Sequence, residues 1–244
     1  MKKAENMILK LNIQLIHYDV NISNSEFIAN KGSNVLFIVG DSSVANISNS
    51  EFIDNKSSYV LHIVGYSSVA NIRTSKFISN KSTNVVTNYQ SSDLIIDSCE
   101  FDSNVTDGNL INSQNNGQDV FLVTRSIFSN NTSSESILFL VGTKTEIDSC
   151  EFISNKCEIN LVNAPDQCSV LISNCYINKN KGEHIFSCNG SSFWNIFLNN
   201  TIDDNVSTDD LFMFWSGNIR LVNNTVCSNV SDGQLFHCLV QKHI

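Results

Sequence analysis

Polysaccharide cleavage draws on few residue types. A hydrolase uses two or three convergent carboxylates, one of them protonated as the acid; a lyase uses carboxylates around a divalent cation and a basic group beside the sugar's acidic proton. Asp203–Asp204 and Asp209–Asp210 are the best acidic candidates, with Arg220 as the basic partner. Asp203, Asp204 and Arg220 are therefore the catalytic candidates. The histidines are His17, His62, His184, His237 and His243. The sequence places them in different repeat positions and gives them no common focus. His62 is expected to face solvent, and His237 to point inward near Cys188. No HxxxH, CxxC, Gly-rich phosphate loop or Ser-His-Asp arrangement occurs. No metal ligand and no cofactor site is nominated.

What must position these residues is a tandem repeat. Large apolar residues fall at Phe27, Phe52, Phe77, Phe101, Phe128, Phe152, Ile177, Ile202 and Val226, at spacings of 25, 25, 24, 27, 24, 25, 25 and 24. Three residues after each anchor stands an asparagine, from Asn30 through Asn55, Asn80, Asn104, Asn131, Asn155, Asn180 and Asn205 to Asn229. Five residues before each stands an apolar residue, from Ile22 to Leu221. Two residues before each the series reads Ser25, Ser50, Ser75, Cys99, Ser126, Cys150, Cys175, Asn200 and Asn224.

Within a repeat, apolar and polar residues alternate with period two, which makes strands and no helix. Twenty-five residues divide into three short strands and their turns, one triangular coil. The expected fold is all-β: a single right-handed parallel β-helix of about nine rungs of ~25 residues, the hand following the parallel crossover rule. It spans 1–244 as one domain, with 1–16 a partial first rung and 17–240 the repeats. Phe and Ile stack inside, as do Leu36, Ile38, Leu61 and Ile63. The asparagine column is expected to hold the left-handed turn conformation and to bond to backbone or to the next rung. Repeat arithmetic puts Asp203 and Asp204 on a turn. The coil containing 107–118 is longer by two or three residues.

FxxN in tandem (Phe27–Asn30, Phe52–Asn55, Phe77–Asn80, Phe101–Asn104, Phe128–Asn131 and Phe152–Asn155) resembles the repeats of polymorphic outer-membrane proteins. The resemblance runs from residue 17 to about 240. The family's second motif, GGA plus an aliphatic residue, is replaced by VLFIVG and VLHIVG. It implies a pectin-lyase-like β-helix on an adhesive, surface-displayed stalk. IDDN with Arg220 one coil on is similar to the acidic and basic signatures of polygalacturonases, but the GHG motif is missing.

Composition excludes other classes. Net charge is −9, with no basic cluster to neutralise phosphates, so nucleic acid is not an expected partner. No apolar run is long enough for a membrane span. The eight cysteines begin at Cys99; Cys99, Cys150 and Cys175 are read as a stack of small buried thiols standing where serine stands elsewhere, a Cys150–Cys175 bridge being the alternative, and Cys227 as facing outward. Twelve N-x-S/T sequons occur, read either as glycosylation acceptors of a secreted glycoprotein or as by-products of the repeat: Asn21, Asn46, Asn55, Asn80, Asn104, Asn130, Asn131, Asn189, Asn199, Asn205, Asn223 and Asn229.

The expected function is a non-catalytic, extracellular or cell-surface adhesin-like module that binds a host or neighbouring-cell surface protein or glycan. The alternative is a polysaccharide lyase or hydrolase. Without a visible capping helix, the solenoid ends are expected to continue into further coils or to stack end to end.

Overall fold

The computed structural model describes residues 11–14, 19–90, 92–165 and 168–238. Among these there is no helix, and every strand pairing is parallel. One coil is formed by Val44–Ser48, Glu51–Ile53 and Lys56–Val64. The three-residue second strands stack into a nine-stranded sheet that begins at Glu26–Ile28 and ends at Thr225–Cys227. Nine strands make eight complete turns of a right-handed parallel β-helix. Leu11–Gln14 pairs with residues 25 positions on, Leu11 with Leu36, as part of an earlier coil.

The anchor column pairs in register from Phe27 to Val226. Its phenylalanine rings lie face to face, 4.6 to 4.9 Å between centroids and within 5° of parallel, from Phe27 to Phe152. That spacing is the strand spacing itself, so the backbone ladder fixes the ring stack. The aliphatic column five residues earlier is buried from Ile47 to Phe197; Leu221, in the last described coil, is exposed.

The turns correct one expectation. The left-handed residue is not the repeated asparagine but the one before it: Ala29, Asp54, Ser79, Ser103, Asn130, Ser154, Lys179, Asp204 and Ser228 all have φ between 53° and 57°. The asparagine that follows is turned inward and buried. Its Oδ1 accepts both the backbone N–H and the Nδ2–H of the asparagine one coil earlier; Asn80 N and Nδ2 each reach Asn104 Oδ1 at 3.0 Å. The second Nδ2 hydrogen goes to an anchor carbonyl, as from Asn104 to Phe77 O at 2.8 Å. All four bonding capacities of each amide are thus used, from Asn55 to Asn205. A non-glycine residue in the left-handed region costs about 1–2 kcal/mol. The asparagine beyond it over-determines the turn and offsets that strain.

The other turn repeats the device. Asn24, Asn49, Thr74, Ser98, Arg125, Ser149, Asn174, Asn199 and Asn223 have φ between 46° and 56°, and each precedes a residue of the Ser/Cys/Asn column. Ser50 Oγ donates to Ser48 O and accepts from Ser25 N. Cys150 and Cys175 lie in neighbouring coils, unbridged, and their Sγ atoms reach Asp148 O and Ser173 O as the serine does. The hydrogen bond to Cys175, together with burial, pushes the Cys150 thiol well up.

One core position breaks the pattern. Asn195 is fully buried between Val170 and Ile219 in the inward register, and neither amide atom has a partner. An unpaired buried amide is destabilising. Asn195→Val should therefore raise stability by about 1–3 kcal/mol in chemical denaturation. In contrast, Asn104→Ala strips acceptors from Asn80 and a donor from Phe77 O, and should lower stability by about 3 kcal/mol. Asn71→Ala, which removes one surface amide bond to Asn46, should change it by less than about 1 kcal/mol.

Candidate functional site

The third strand of each coil departs from period two. Val35–Leu36, Val60–Leu61, Val85–Val86, Leu110–Ile111, Ile137–Leu138, Leu161–Val162, Ile185–Phe186 and Leu211–Phe212 are consecutive buried pairs. Two adjacent inward side chains require a bend in the strand. Outward residues on either side of the bend then lean toward each other, and the stacked coils turn the bend into a lengthwise groove.

One wall of the groove is the column Asn34, Tyr59, Asn84, Asn109, Ser136, Asn160, His184 and Asp210. The other is Phe37, His62, Thr87, Asn112, Phe139, Asn163, Ser187, Met213 and His237. Asn84, Asn109, Asn160, Thr87 and Asn112 point away from the core and are still buried. Contacts cross the bend at both ends: His62 Nδ1 meets Asn34 Oδ1 at 3.3 Å, and His237 Nδ1 meets Asp210 Oδ2 at 2.6 Å. Along the second wall, Asn112 Nδ2 donates to the Tyr89 hydroxyl at 3.3 Å.

Midway along lies a cleft of about 480 Å³, lined by Tyr59, Asn84, Tyr89, Asn109, Asn112, Glu135 and Phe139 among others. The walls are braced along the axis: Asn109 N donates to Asn84 Oδ1 at 2.8 Å, Ser136 N to Asn109 Oδ1 at 2.9 Å, and Asn109 Nδ2 to Glu135 Oε2 at 2.6 Å. Burial, with the neighbouring Tyr59 and Glu135, pushes the Tyr89 phenol up, so it remains a hydrogen-bond donor. Two cleft residues carry buried polar atoms without a protein partner, Asn112 Oδ1 and Ser136 Oγ, and His62 Nε2, Thr87 Oγ1 and Asn160 Oδ1 are further such atoms on the groove walls. Such atoms call for a polar guest or ordered water.

The acidic and basic candidates do not meet in this groove. Asp203 lies on the second strand of its coil, Thr201–Asp203, where its Oδ1 takes the Cys227 thiol at 3.2 Å. Asp204 holds the left-handed turn. Arg220 is exposed on Phe212–Val222, across the preceding turn of the next coil. Cys227 is exposed, as its register implies. The excess residues of the long coil produce a register shift between Gln114 and Asp119.

The histidines require two corrections. His237 shares its column with Met213 and Ser187; Cys188 aligns with Phe214 and Cys238 instead. And two histidines do converge: His184 Nδ1 bonds to Asp210 O at 2.8 Å while His237 holds the Asp210 carboxylate. Burial alone would raise the Asp210 carboxyl. The Gln234 N–H and the two imidazoles outweigh it and hold the group below its ordinary value. Sequence reasoning missed the groove because it counted period two through the doublets that signal the bend.

The sequons divide by geometry. Asn55, Asn80, Asn104, Asn131, Asn205 and Asn229 belong to the ladder, with Nδ2 already committed. Asn21, Asn130, Asn199 and Asn223 are exposed.

His62 faces outward but is half-buried among Phe37, Tyr59 and Tyr89, ring centroids 4.5 to 5.9 Å away. Burial lowers its pKa from 6.5 to about 4. Between these values the unfolded chain binds a proton that the folded chain refuses, so this contribution to stability is complete above pH 6.5 and declines as pH falls toward 4. Denaturation across that window should show a shallower decline for His62→Gln than for the unaltered chain.

No curated protein matches the sequence. Among solved structures, a trypsin-treated variant of QnrB1, a plasmid-mediated fluoroquinolone resistance protein, is similar at 9% identity over 94% of this chain and 93% of that chain, with a TM-score of 0.21. A likeness so slight carries no argument about this chain. The family described as "Right handed beta helix region" matches residues 62–226. That span runs from the aromatic cluster at His62 to the last anchor, Val226, and the register of the coils within it is that of a continuous solenoid. The chain belongs to the right-handed β-helix family.

Proposed function

We propose that the chain is a non-catalytic, adhesin-like binding module, displayed outside the cell, that holds a neutral glycan along its groove. The observation that carries this reading is the cleft at Tyr59, Tyr89, Asn109 and Asn112. Sugars present hydroxyls that donate and accept together, which amides match, and C–H faces that aromatic rings cover. The unpartnered Asn112 Oδ1 and Ser136 Oγ in its lining support a polar guest. No Lys or Arg lines the cleft, while Asp107 and Glu135 do. That favours a neutral chain over the uronate polymers taken by many β-helix lyases. The tandem FxxN resemblance supports surface display.

A hydrolytic reading has one specific support, the presence of Asp107 and Glu135 in the same cleft. The experiment separates the two. The purified chain is presented with arrayed neutral, uronate and amino-sugar oligosaccharides, and binding is quantified by calorimetry. A neutral oligosaccharide should bind without release of reducing ends, and Tyr89→Ala should weaken it by roughly tenfold. Binding confined to uronates, no binding at all, or cleavage of the bound chain would overturn the proposal.

A further inference from the structure

We propose that Glu183, His184 and Asp209 form a site for a divalent transition-metal ion, on the groove rim two coils beyond Glu135. One ligand atom from each residue lies within 4.8 Å of the others. The three arrive from adjacent coils because the chain bonds Asp209 N to Glu183 O at 3.1 Å, which stacks the two carboxylates on one another. Like charges so placed repel unless a cation lies between them. Among the described residues the ion pairs are Lys76–Glu51, Arg125–Asp97 and His237–Asp210, so neither Glu183 nor Asp209 has a basic partner.

The imidazole is prepared for ligation. His184 is 8% exposed, and its Nδ1 stands 2.8 Å from the Asp210 carbonyl, which can only accept. Nδ1 is therefore the donor in this bond, which leaves Nε2 as the nitrogen a metal would take from the neutral ring. A ring oriented through its other nitrogen by a main-chain carbonyl is how metal-binding histidines are fixed in tautomer and direction. The residue that supplies this carbonyl is itself held by its carboxylate: Asp210 Oδ1 takes the Gln234 N–H at 2.6 Å and Oδ2 takes His237 at 2.6 Å.

A Cβ at Gly233 would fall 2.5 Å from Asp210 Oδ1 and 2.9 Å from Asp209 Oδ1, so a side chain there would displace these carboxylates. One imidazole nitrogen and two carboxylate oxygens suit zinc, manganese or cobalt rather than calcium or magnesium. Three protein ligands leave a coordination position open. Ligand atoms around such an ion stand about 3.4 Å apart, so closure requires only a movement of about 1 Å by the side chains.

The test uses the full chain, stripped with a chelator and titrated with zinc chloride by calorimetry, with cobalt(II) as a spectroscopic probe and magnesium as comparator. One zinc per chain should bind, cobalt should give a ligand-field spectrum, and magnesium should not displace either. Asp209→Asn and Glu183→Gln should each weaken zinc binding at least tenfold. Asp209 is exposed, so its variant retains the fold, as its denaturation midpoint will report. Absence of stoichiometric binding, or binding unchanged in both variants, would overturn the site. Glycan binding by Asp209→Asn reads the cleft separately and should be unaltered.

Discussion

The amide ladder is the constraint on which the rest of this structure depends. Each buried asparagine ties its own turn to the next coil with two bonds and to an anchor carbonyl with a third. A turn built on a left-handed serine, lysine or aspartate would otherwise be poorly specified. Once the turn is set, the short strand after the first corner has one register, and the anchor side chain has one direction. This explains why the anchor varies from Phe to Ile to Val while the asparagine does not. An aliphatic residue fills the interior adequately. No other side chain has the ladder's two donors and two-lone-pair acceptor at that length.

Much of this was legible in the residues. Period, strand count, inward Leu36 and Ile63, outward Cys227 and the serine-like role of Cys99, Cys150 and Cys175 all follow from column arithmetic. The location of the left-handed residue did not. Asn is the residue most at home there, so the column seemed to explain itself; burial of its amide is a tertiary fact. The groove was written in doublets such as Val60–Leu61 and Ile185–Phe186, which period-two counting smooths away. The meeting of His184 and His237 at Asp210 was hidden for a different reason. They occupy different columns, and only the bend brings those columns face to face.

The groove and the ladder stand in opposite relation to hydrogen bonding. Along the ladder every polar atom is satisfied within the protein. In the groove, His62 Nε2, Thr87 Oγ1, Asn112 Oδ1 and Asn160 Oδ1 are buried and unpartnered. A fold that completes its amides so thoroughly at one edge leaves these exceptions along the groove walls, with Asn195 a further one in the core. Aromatic surface from Tyr59 and Tyr89 borders the same stretch. Carboxylates recur along the groove rim at Glu135, Glu183 and Asp209.

Every asparagine-to-asparagine bond points the same way, donors in one coil and acceptor in the next. A coil therefore presents the same bonding edge it receives. Insertion or loss of a whole coil leaves no amide unmatched, whereas a change of part of one does. The near-identity of 21–31, 46–56 and 71–81 is what tandem duplication under that rule leaves behind. Length becomes a heritable variable with little energetic penalty, and each added coil lengthens the groove by one strand spacing. Such a molecule evolves its reach by copying and its specificity by editing only the outward columns.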